Sequence, residues 1–398
     1  MLLYTQEPKM NQEISKFFAG DLDKQNGYNA YIPSEINKNF SGFDNKTLLL
    51  LEMASAALSK LNTTVAGVTF TDLFTNMLLH LEAIRSSEIE GTKTDIKEVL
   101  STGKNNSRNE EIQKIVNLMR TTFSYYRKKE KNEDIATIQT LEKINRSLFK
   151  NVPSKDKETG RVRTCQNFIG GNSILSALFV PPPPEKLHPL LDDLNDFWNN
   201  ETFFIPTLIK IAIYHYQFET IHPFVDGNGR TGRILINLQL EKKGLLDFPV
   251  LCLSDYWQRN KGYYYNALTT VRFSHDIEYW IRFFLESILN TCNERIKLIN
   301  EIQELQLKYE NLIEANFKNT DNYKKLLEHL LSDIPFITVK EAQEKLNLSY
   351  QRTNKIIENL VNIGLLNEES SNKRNRVFVL KEYYDLIFKD ITINRPTY

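Results

Sequence analysis

Cysteine is scarce in this sequence of 398 residues, and neither sign of charge dominates it. The three cysteines, Cys165, Cys252 and Cys292, are too few and too scattered for a disulfide framework or a cysteine-based metal site. Basic and acidic residues number 50 each, so no overall charge attracts the chain to nucleic acid or to a membrane. No apolar run reaches the ~20 residues of a membrane span, and residues 1–4 do not begin a cleavable signal. These absences favour a cytoplasmic protein with free thiols and no membrane partner.

The apolar residues that are present recur mostly at helical spacing, so we expect a mainly α fold. A length of 398 residues suggests two or three domains. We expect an N-terminal helical region at 1–105, a central core at 106–295, a connecting helix at 296–320 and a C-terminal module at 321–398. A polar loop at 104–107 separates the first two of these units.

Residues 222–233, with the sequence HPFVDGNGRTGR, are the most informative part of the chain. His222 is the member that can gain or lose a proton near neutral pH, which makes it a candidate general base. Asp226 offers a carboxylate suited to Mg²⁺, an ion that usually takes one or two carboxylates together with phosphate oxygens. The pair indicates proton transfer beside a metal-bound phosphate.

The second half of this segment has the features of an anion-binding turn. Gly227 and Gly229 allow a tight turn and a close approach of an anion to the backbone amides. Arg230 and Arg233 share one face if a helix begins at the turn, where the helix dipole also favours phosphate. Residues 227–232 fit the dinucleotide motif G-x-G-x-x-G as well, but that motif follows a strand, and residues 208–221 have helical spacing. We therefore favour a polyphosphate site at a helix N-terminus.

An earlier helix, expected at 72–90, places a carboxylate in an unfavourable position. Asp72 is its expected N-cap and Gly91 its expected left-handed end. Glu90 then lies in the last turn, where the helix dipole disfavours a negative charge by roughly 0.3–1 kcal/mol. Two interpretations fit: Glu90 is solvated, or it has a cationic partner elsewhere in the fold.

Residues 222–233 resemble the signature of the Fic family, H-P-F-x-[D/E]-G-N-G-R-x-x-R, and fill each of its fixed positions. Fic proteins with this signature typically transfer AMP from ATP to a Ser, Thr or Tyr hydroxyl of a protein. The resemblance implies a Fic catalytic core, with His222 as the base and Asp226 as the Mg²⁺ ligand. It also implies nucleotide binding, with both arginines on the β and γ phosphates, by Gly227, Asn228, Gly229, Arg230, Thr231, Gly232 and Arg233.

Residues 86–91 are similar to the inhibitory motif of the family, [S/T]-x-x-x-E-[G/N], with Ser86, Glu90 and Gly91 in the fixed places. In such proteins the glutamate pairs with the second arginine of the signature, here Arg233, and obstructs placement of the γ phosphate. The resemblance therefore implies a protein that is autoinhibited by Glu90.

Residues 160–180 mix glycine, β-branched and polar residues before a run of four prolines, a pattern that predicts a short hairpin followed by an extended turn. An ordinary surface hairpin fits this pattern as well. In the Fic family the hairpin is a flap that docks the target segment, and the residues nearest the nucleotide would be Ile174, Leu175, Ser176 and Ala177.

Three consecutive tyrosines at 263–265 cannot all face the core from one helix, so at least one is exposed or lines a pocket. The family resemblance implies that Tyr264 and Tyr265 lie beside the adenosine. Packing of at least one of them in the core is the alternative.

The C-terminal third of the chain bears on assembly and partners. Apolar residues at 278–316 recur at the ~3.5-residue period of a long packing helix, which connects domains or pairs with a second subunit in a homodimer. Residues 321–398 predict a winged helix-turn-helix, with a capping box at 338–341, a second helix from Ser349, a helix end at Gly364 and a polar wing at 372–376. The charges of this module nearly cancel, so contact with DNA and contact with protein are both open.

The sequence thus predicts a protein adenylyltransferase that uses Mg·ATP, modifies a hydroxyl of an unidentified target protein or of itself, and is restrained by Glu90. Two alternatives stay open. A DNA-binding transcriptional regulator would sense nucleotide with its Fic-like part. A Fic enzyme of different chemistry would remove AMP or transfer another phosphate-linked group, although two arginines favour a triphosphate donor.

Overall fold

The computed structural model describes residues 17–67, 71–93, 95–102, 109–128, 134–152, 159–332, 334–369 and 376–392. Helices dominate this part of the chain, and the strands form a two-stranded and a three-stranded antiparallel sheet, which confirms the mainly α prediction. The predicted loop at 104–107 and residues 372–375 of the predicted wing lie outside the described residues. No helix within the described ranges combines the length and the apolar character that crossing a membrane requires.

The elements follow one another in a simple order along the chain. The strands are β1 (Gly20–Lys24), β2 (Asn29–Pro33), β3 (Phe336–Thr338), β4 (Asn367–Glu368) and β5 (Val377–Val379). The helices are α1 (Asn45–Ala66), α2 (Thr71–Ile89), α3 (Ile96–Thr102), α4 (Glu110–Lys128), α5 (Ile138–Leu148), α6 (Leu187–Asn199), α7 (Thr207–Ile221), α8 (Asn228–Lys242), α9 (Leu253–Arg259), α10 (Lys261–Ser274), α11 (Ile277–Asn316), α12 (Asp321–Ser332), α13 (Val339–Leu346), α14 (Tyr350–Asn362) and α15 (Lys381–Thr392).

Helices α7 and α8 form the centre of the molecule. Every residue from Leu208 to Ile221 of α7 is buried, as is every residue from Asn228 to Leu240 of α8. The neighbouring helices α4, α6 and α11 enclose both helices, so that polar residues such as Glu219 and Arg233 are buried together with the apolar ones. The short segment between α7 and α8 is therefore fixed at both ends by packed helices, and it carries the first half of the signature.

Helix α11 is 40 residues long, which confirms the long packing helix expected at 278–316. Its N-cap is Asp276, whose carboxylate accepts a hydrogen bond from the backbone N–H of Tyr279. The helix packs along α1 and contacts α7, α9 and α10, and the indole of Trp280 donates to the carbonyl of Ala212 in α7. The expected boundary between the core at 106–295 and the connecting helix at 296–320 falls inside α11, because this helix continues without a break through residue 295. The connecting helix therefore begins at Ile277.

Helix α2 lies between the central helices and the C-terminal part of the chain. It contacts α4, α8 and α9, and it also contacts α12 and α15. The prediction that Asp72 caps α2 is wrong, because the helix begins at Thr71 and Asp72 is already helical. Its other end agrees with the prediction, since Gly91 adopts φ +94°, a left-handed conformation that suits glycine.

The C-terminal part contains the two helices that the sequence predicted. Thr338 and Glu341 form the expected capping box of α13, and Ser349 caps α14 by accepting from the N–H of Arg352. The neighbouring strands form a sheet in the order β3-β5-β4. Lys308 of α11 binds Glu382 of α15 at 2.8 Å, which attaches this part to the long helix. Its assignment as a separate winged helix-turn-helix stays a prediction.

Candidate functional site

His222 ends α7 and is partly buried beside the signature turn. Its backbone is left-handed, with φ 51° and ψ 60°, a conformation in which histidine is found more often than most residues. Its Nδ1 lies 3.4 Å from the carbonyl oxygen of Glu219, one turn back in the helix. Burial lowers the pKa of His222 to about 4, although the carboxylate of Glu90 acts in the opposite direction. The imidazole is therefore neutral at neutral pH and able to accept a proton.

The turn after His222 is held by Asn228. The side-chain oxygen of Asn228 accepts from the N–H of Phe224 at 2.8 Å, and its amide donates to the carbonyl of Phe224 at 2.8 Å. The side chain of Asn228, one of the expected nucleotide-binding residues, is thus directed into the loop and shapes the turn. Gly227 follows the prediction, because its φ of +81° turns the chain into the start of α8.

Asp226 faces the solvent beside the first arginine. One carboxylate oxygen accepts from Arg230 at 3.0 Å and from the N–H of Gly227 at 2.6 Å. The side chain of Asp226 is 54% exposed, whereas that of Arg230 is 5% exposed. The guanidinium of Arg230 lies over the ring of Phe149, 5.4 Å from its centroid, which adds a cation–π contact. Asp226 is therefore oriented by the protein and still accessible to a ligand.

Two charged residues that the sequence analysis missed complete this side of the site. Lys114 of α4 binds Glu111 at 2.8 Å, and its ammonium lies 3.9 Å from the second carboxylate oxygen of Asp226. Thr92, just after α2, donates to Glu111 at 2.9 Å. Their i,i+3 spacing is a weak sequence signal for Glu111 and Lys114, since such pairs are common on exposed helix faces.

Glu90 and Arg233 form the ion pair that the sequence predicted. Nη2 of Arg233 donates to Oε1 of Glu90 at 2.7 Å, and the same guanidinium binds the hydroxyl and the carbonyl of Ser86 at 2.8 Å each. Burial alone would raise the pKa of Glu90, but the charge and hydrogen bond of Arg233 outweigh it and hold that pKa below its usual value. A methyl group on Gly229 would collide with the Glu90 carboxylate, so this carboxylate rests on the anion-binding turn.

Buried polar groups, among them Glu219 and His215, lie near Arg233. Glu219 lies under Gly232, where a methyl group would collide with its carboxyl group. Burial raises the pKa of Glu219 to about 7, opposed by the charge of Arg233. Burial also lowers the pKa of His215, to about 3. Thr231 is fully buried and its hydroxyl accepts from Asn145, so Thr231 and Gly232 act in packing rather than at the surface of the site.

The two predicted adenosine contacts occupy different environments. Tyr264 is 1% exposed, its ring stacks on Trp257 and its hydroxyl pairs with His215 at 3.1 Å. A direct contact of Tyr264 with a nucleotide does not fit this burial, so Tyr264 is corrected to a core residue. Tyr265 is 41% exposed and donates to the carbonyl of Ile89 at the end of α2. It remains the candidate beside a nucleotide.

The flap is a loop closed by one β-bridge, between Ile169 and Phe179, rather than the predicted hairpin. Gly170 and Gly171 are both left-handed and turn the chain at once, so the strands do not extend. Residues 174–176 form a short 3₁₀ helix, in which Leu175 is 76% exposed. The predicted docking residues, from Ile174 to Ala177, therefore lie on the surface but not on a regular strand.

Arg163 joins the flap to the signature and is a further residue that the sequence analysis missed. It is 1% exposed and donates to the carbonyl oxygens of His222, Cys165 and Pro182 at 3.0, 3.0 and 2.5 Å. Its backbone N–H donates to the carbonyl of Pro223. These bonds fix the base of the flap directly beside the candidate general base.

Known proteins match two segments of this chain. Residues 135–240 match the family model described as Fic/DOC family, and residues 48–124 match the model described as Fic/DOC family N-terminal. Protein adenylyltransferase fic-1 of Caenorhabditis elegans is 34% identical over 130 residues, which are 32% of this chain and 24% of that protein. Probable protein adenylyltransferase aq_aa38 of Aquifex aeolicus (strain VF5) is 31% identical over 201 residues, which are 49% of this chain and 55% of that protein.

The matches cover between a quarter and about half of these two relatives. A crystal structure of a Fic family protein from Desulfovibrio desulfuricans G20 superposes with a TM-score of 0.55 at 19% identity, covering 86% of this chain and 98% of that one. At this identity the superposition bears on the fold, and it agrees with the helical arrangement around α7 and α8. Through its residues 48–124 and 135–240, this chain is thus similar to the Fic/DOC family.

Proposed function

We propose that this protein transfers AMP from Mg·ATP to a hydroxyl group of a protein and that Glu90 restrains the transfer. The observation that carries the proposal is the Glu90 carboxylate, which rests on the turn at Gly229 and binds Arg233 at 2.7 Å. A negative group held at a helix N-terminus by an arginine occupies the kind of place that a phosphate would take. The names of the two relatives, both protein adenylyltransferases, support the same activity.

The phosphates would bind to the N-terminus of α8. The free backbone amides there, the dipole of the helix and the guanidiniums of Arg230 and Arg233 all favour negative charge. Arg230 and Arg233 are almost fully buried, at 4% and 3% exposure, so their field is little weakened by solvent. The nearby Tyr265 would contact the adenosine.

The transfer step needs a base beside the α phosphorus. His222, neutral because its pKa is about 4, would take the proton of the target hydroxyl through a ring nitrogen. The hydroxyl oxygen would then form a bond to the α phosphorus, while the bond from that phosphorus to the bridging oxygen breaks and pyrophosphate leaves. Positioning of the two reactants and neutralisation of phosphate charge would supply most of the rate increase.

The residues present fit a magnesium ion that arrives with the nucleotide. Asp226 offers one accessible carboxylate, and no group of three or more potential metal ligands exists among the described residues. Magnesium usually keeps waters and phosphate oxygens and takes only one or two carboxylates from the protein. The ion would neutralise phosphate charge, and Asp226, oriented by Arg230, would hold it.

Glu90 would act by competition with the γ phosphate for Arg233. While the ion pair is formed, the triphosphate cannot use this guanidinium and its α phosphorus is not aligned with His222. Release of Glu90 would leave Arg233 in place, because Ser86 still binds two of its N–H groups. The restraint therefore concerns the position of the phosphates rather than the integrity of the site.

The target protein would dock on the exposed flap residues from Ile174 to Ala177. Modification of the chain itself, formation of a homodimer and contact of α14 with DNA stay predictions from the sequence. Removal of AMP by the same pocket stays an alternative within the enzyme class.

The proposal is tested with ATP labelled at the α phosphorus. Wild type, Glu90→Gly and the double variant Glu90→Gly/His222→Ala are incubated with a cell extract, and labelled protein is counted. We expect strong labelling with Glu90→Gly and none after loss of His222. The matched control is His188→Ala in the Glu90→Gly background, which removes an exposed histidine of α6 and should leave the labelling unchanged. ATP labelled at the γ phosphorus should label no more protein than the extract does by itself. An increase of γ labelling above that background, or α labelling that persists without His222, contradicts the proposed chemistry.

A further inference from the structure

Lys114 is a charged residue at the site to which the proposed function gives no role. It belongs to α4 and lies more than a hundred positions before the signature, yet its ammonium is 3.9 Å from Asp226. Its side chain is 16% exposed, so the charge is only partly hydrated. Partial burial of an ammonium is costly, and the contacts of Lys114 with Glu111, Asp226 and the ring of Phe149 offset that cost.

We infer that Lys114 is a third cation of the nucleotide site and binds the phosphates of ATP directly. This inference deepens the proposed function and rests on it. Lysine is well suited to the task, because its ammonium is a compact charge on a flexible chain and is a common ligand of phosphate.

The donors of Lys114 leave room for such a ligand. An ammonium has three N–H donors. One of them binds Glu111 at 2.8 Å, and the 3.9 Å separation from Asp226 is an ion pair too long for a hydrogen bond. No other hydrogen bond joins this ammonium to any residue that the structure describes. The remaining donors are thus available to oxygens that enter beside Asp226.

Glu111 holds Lys114 in position before any ligand arrives. Partial burial would raise the pKa of Glu111, but hydrogen bonds from Lys114 and Thr92 lower it, so the carboxylate is ionised at neutral pH. One oxygen of Glu111 accepts from Lys114 and the other from Thr92. A side chain that is already ordered loses less conformational entropy when it binds a phosphate.

The charges of the site also call for a third cation. Glu90, Glu111 and Asp226 are balanced by three basic residues, Lys114, Arg230 and Arg233. When Glu90 leaves Arg233, one positive charge is in excess, which favours the anionic Mg·ATP. Without Lys114 the site would be neutral at that moment, and the entering phosphates would lose part of their counter-charge in a half-buried place.

Affinity measurements by calorimetry test this role. In the Glu90→Gly background, Lys114→Met keeps the length of the side chain and removes its charge, and Lys114→Arg keeps the charge. We expect Lys114→Met to weaken ATP binding about tenfold or more, the effect of one lost hydrogen bond to a charged group. The affinity for AMP, which lacks the outer phosphates, should fall less than about threefold in the same variant. Lys114→Arg should restore ATP binding to within about threefold, and Lys60→Met, an exposed lysine of α1, should change nothing.

A repeat with EDTA separates direct contact from an effect through Asp226. A loss of affinity for metal-free ATP in Lys114→Met supports direct contact, whereas a loss that disappears without magnesium means that Lys114 acts through Asp226 and overturns the inference. Glu111→Gln, which keeps the lysine but weakens its anchor, should reduce ATP affinity by a smaller factor. It provides the second variant if Lys114→Met does not fold, and unchanged ATP affinity in Glu111→Gln then counts against the inference.

The remaining outcomes distinguish the inference from the function on which it rests. If Lys114→Met binds ATP as tightly as its Glu90→Gly parent, and the parent transfers AMP, the inference alone is wrong. If the parent binds no ATP at all, the proposed function fails and the inference fails with it.

Discussion

Glu90→Gly is the substitution for which the structure predicts the largest gain of activity. The change removes the carboxylate that rests on Gly229 and frees one N–H of Nη2 of Arg233, while the bonds from Nε and Nη2 to Ser86 remain. It also removes a negative charge from the C-terminal end of α2, where the helix dipole disfavours it by roughly 0.3–1 kcal/mol. The variant should therefore keep its fold and expose the phosphate site.

The size of the effect follows from the ion pair. A hydrogen bond between charged groups contributes roughly 1.5–3 kcal/mol, and the γ phosphate must displace this one. Removal of the competitor should thus raise the rate of AMP transfer about 10- to 100-fold at limiting ATP. The side chain of Glu90 is 37% exposed, so solvent weakens the contribution of the pair to folding. We expect the free energy of unfolding to fall by less than about 2 kcal/mol.

Transfer of α label and urea denaturation, measured on the same preparations, check both expectations. Glu88→Gln is the matched control, because Glu88 lies in the same turn but pairs with Arg85 instead. Its rate should stay at the wild-type value. Equal rates for wild type and Glu90→Gly would refute the competition argument, and so would an equal increase in Glu88→Gln, since a general loosening of α2 would then explain it.

Three further predictions concern the base, the packing and the flap. Because protonation of His222 removes the base and its pKa is about 4, the rate should stay level between about pH 6 and 8 and fall only toward that pKa, as a pH–rate profile would reveal. Gly232→Ala should lower the free energy of unfolding by about 1–3 kcal/mol in urea, because its methyl group meets the buried Glu219, whereas Gly262→Ala in the open start of α10 should be neutral or slightly stabilising. Arg163→Met should release the flap from the carbonyl of His222, so limited proteolysis should cut residues 166–180 faster than in wild type.

The parts of the site that could be predicted are those in which one short segment carries the information. The turn at Gly227 and the start of α8 follow from the glycines of the signature and from the helical spacing on both sides. The contact of Glu90 with Arg233 was predictable too, because two motifs with a known relation occur in the same chain.

The parts that could not be predicted depend on packing between distant elements. Lys114 and Arg163 reach the site from α4 and from the base of the flap, and their local sequence offers no signal beyond the common i,i+3 spacing of Lys114 with Glu111. The motif places Asn228 at the site, but the loop geometry directs its amide to Phe224 instead. Of the adjacent Tyr264 and Tyr265, burial against Trp257 decides which one is removed from the surface, and that depends on the helices packed around α10.

The position of α2 has a practical consequence for work on shortened chains. This helix, which carries Glu90 at its end, is covered on its outer side by α12 and α15. A chain cut after Asn316 would lose that cover. The surface of α2 would then be exposed to solvent, and the helix could shift or fray. A high rate of transfer measured on such a fragment would then reflect a weakened contact between Glu90 and Arg233. The turnover number of the intact protein has to be measured on the intact protein.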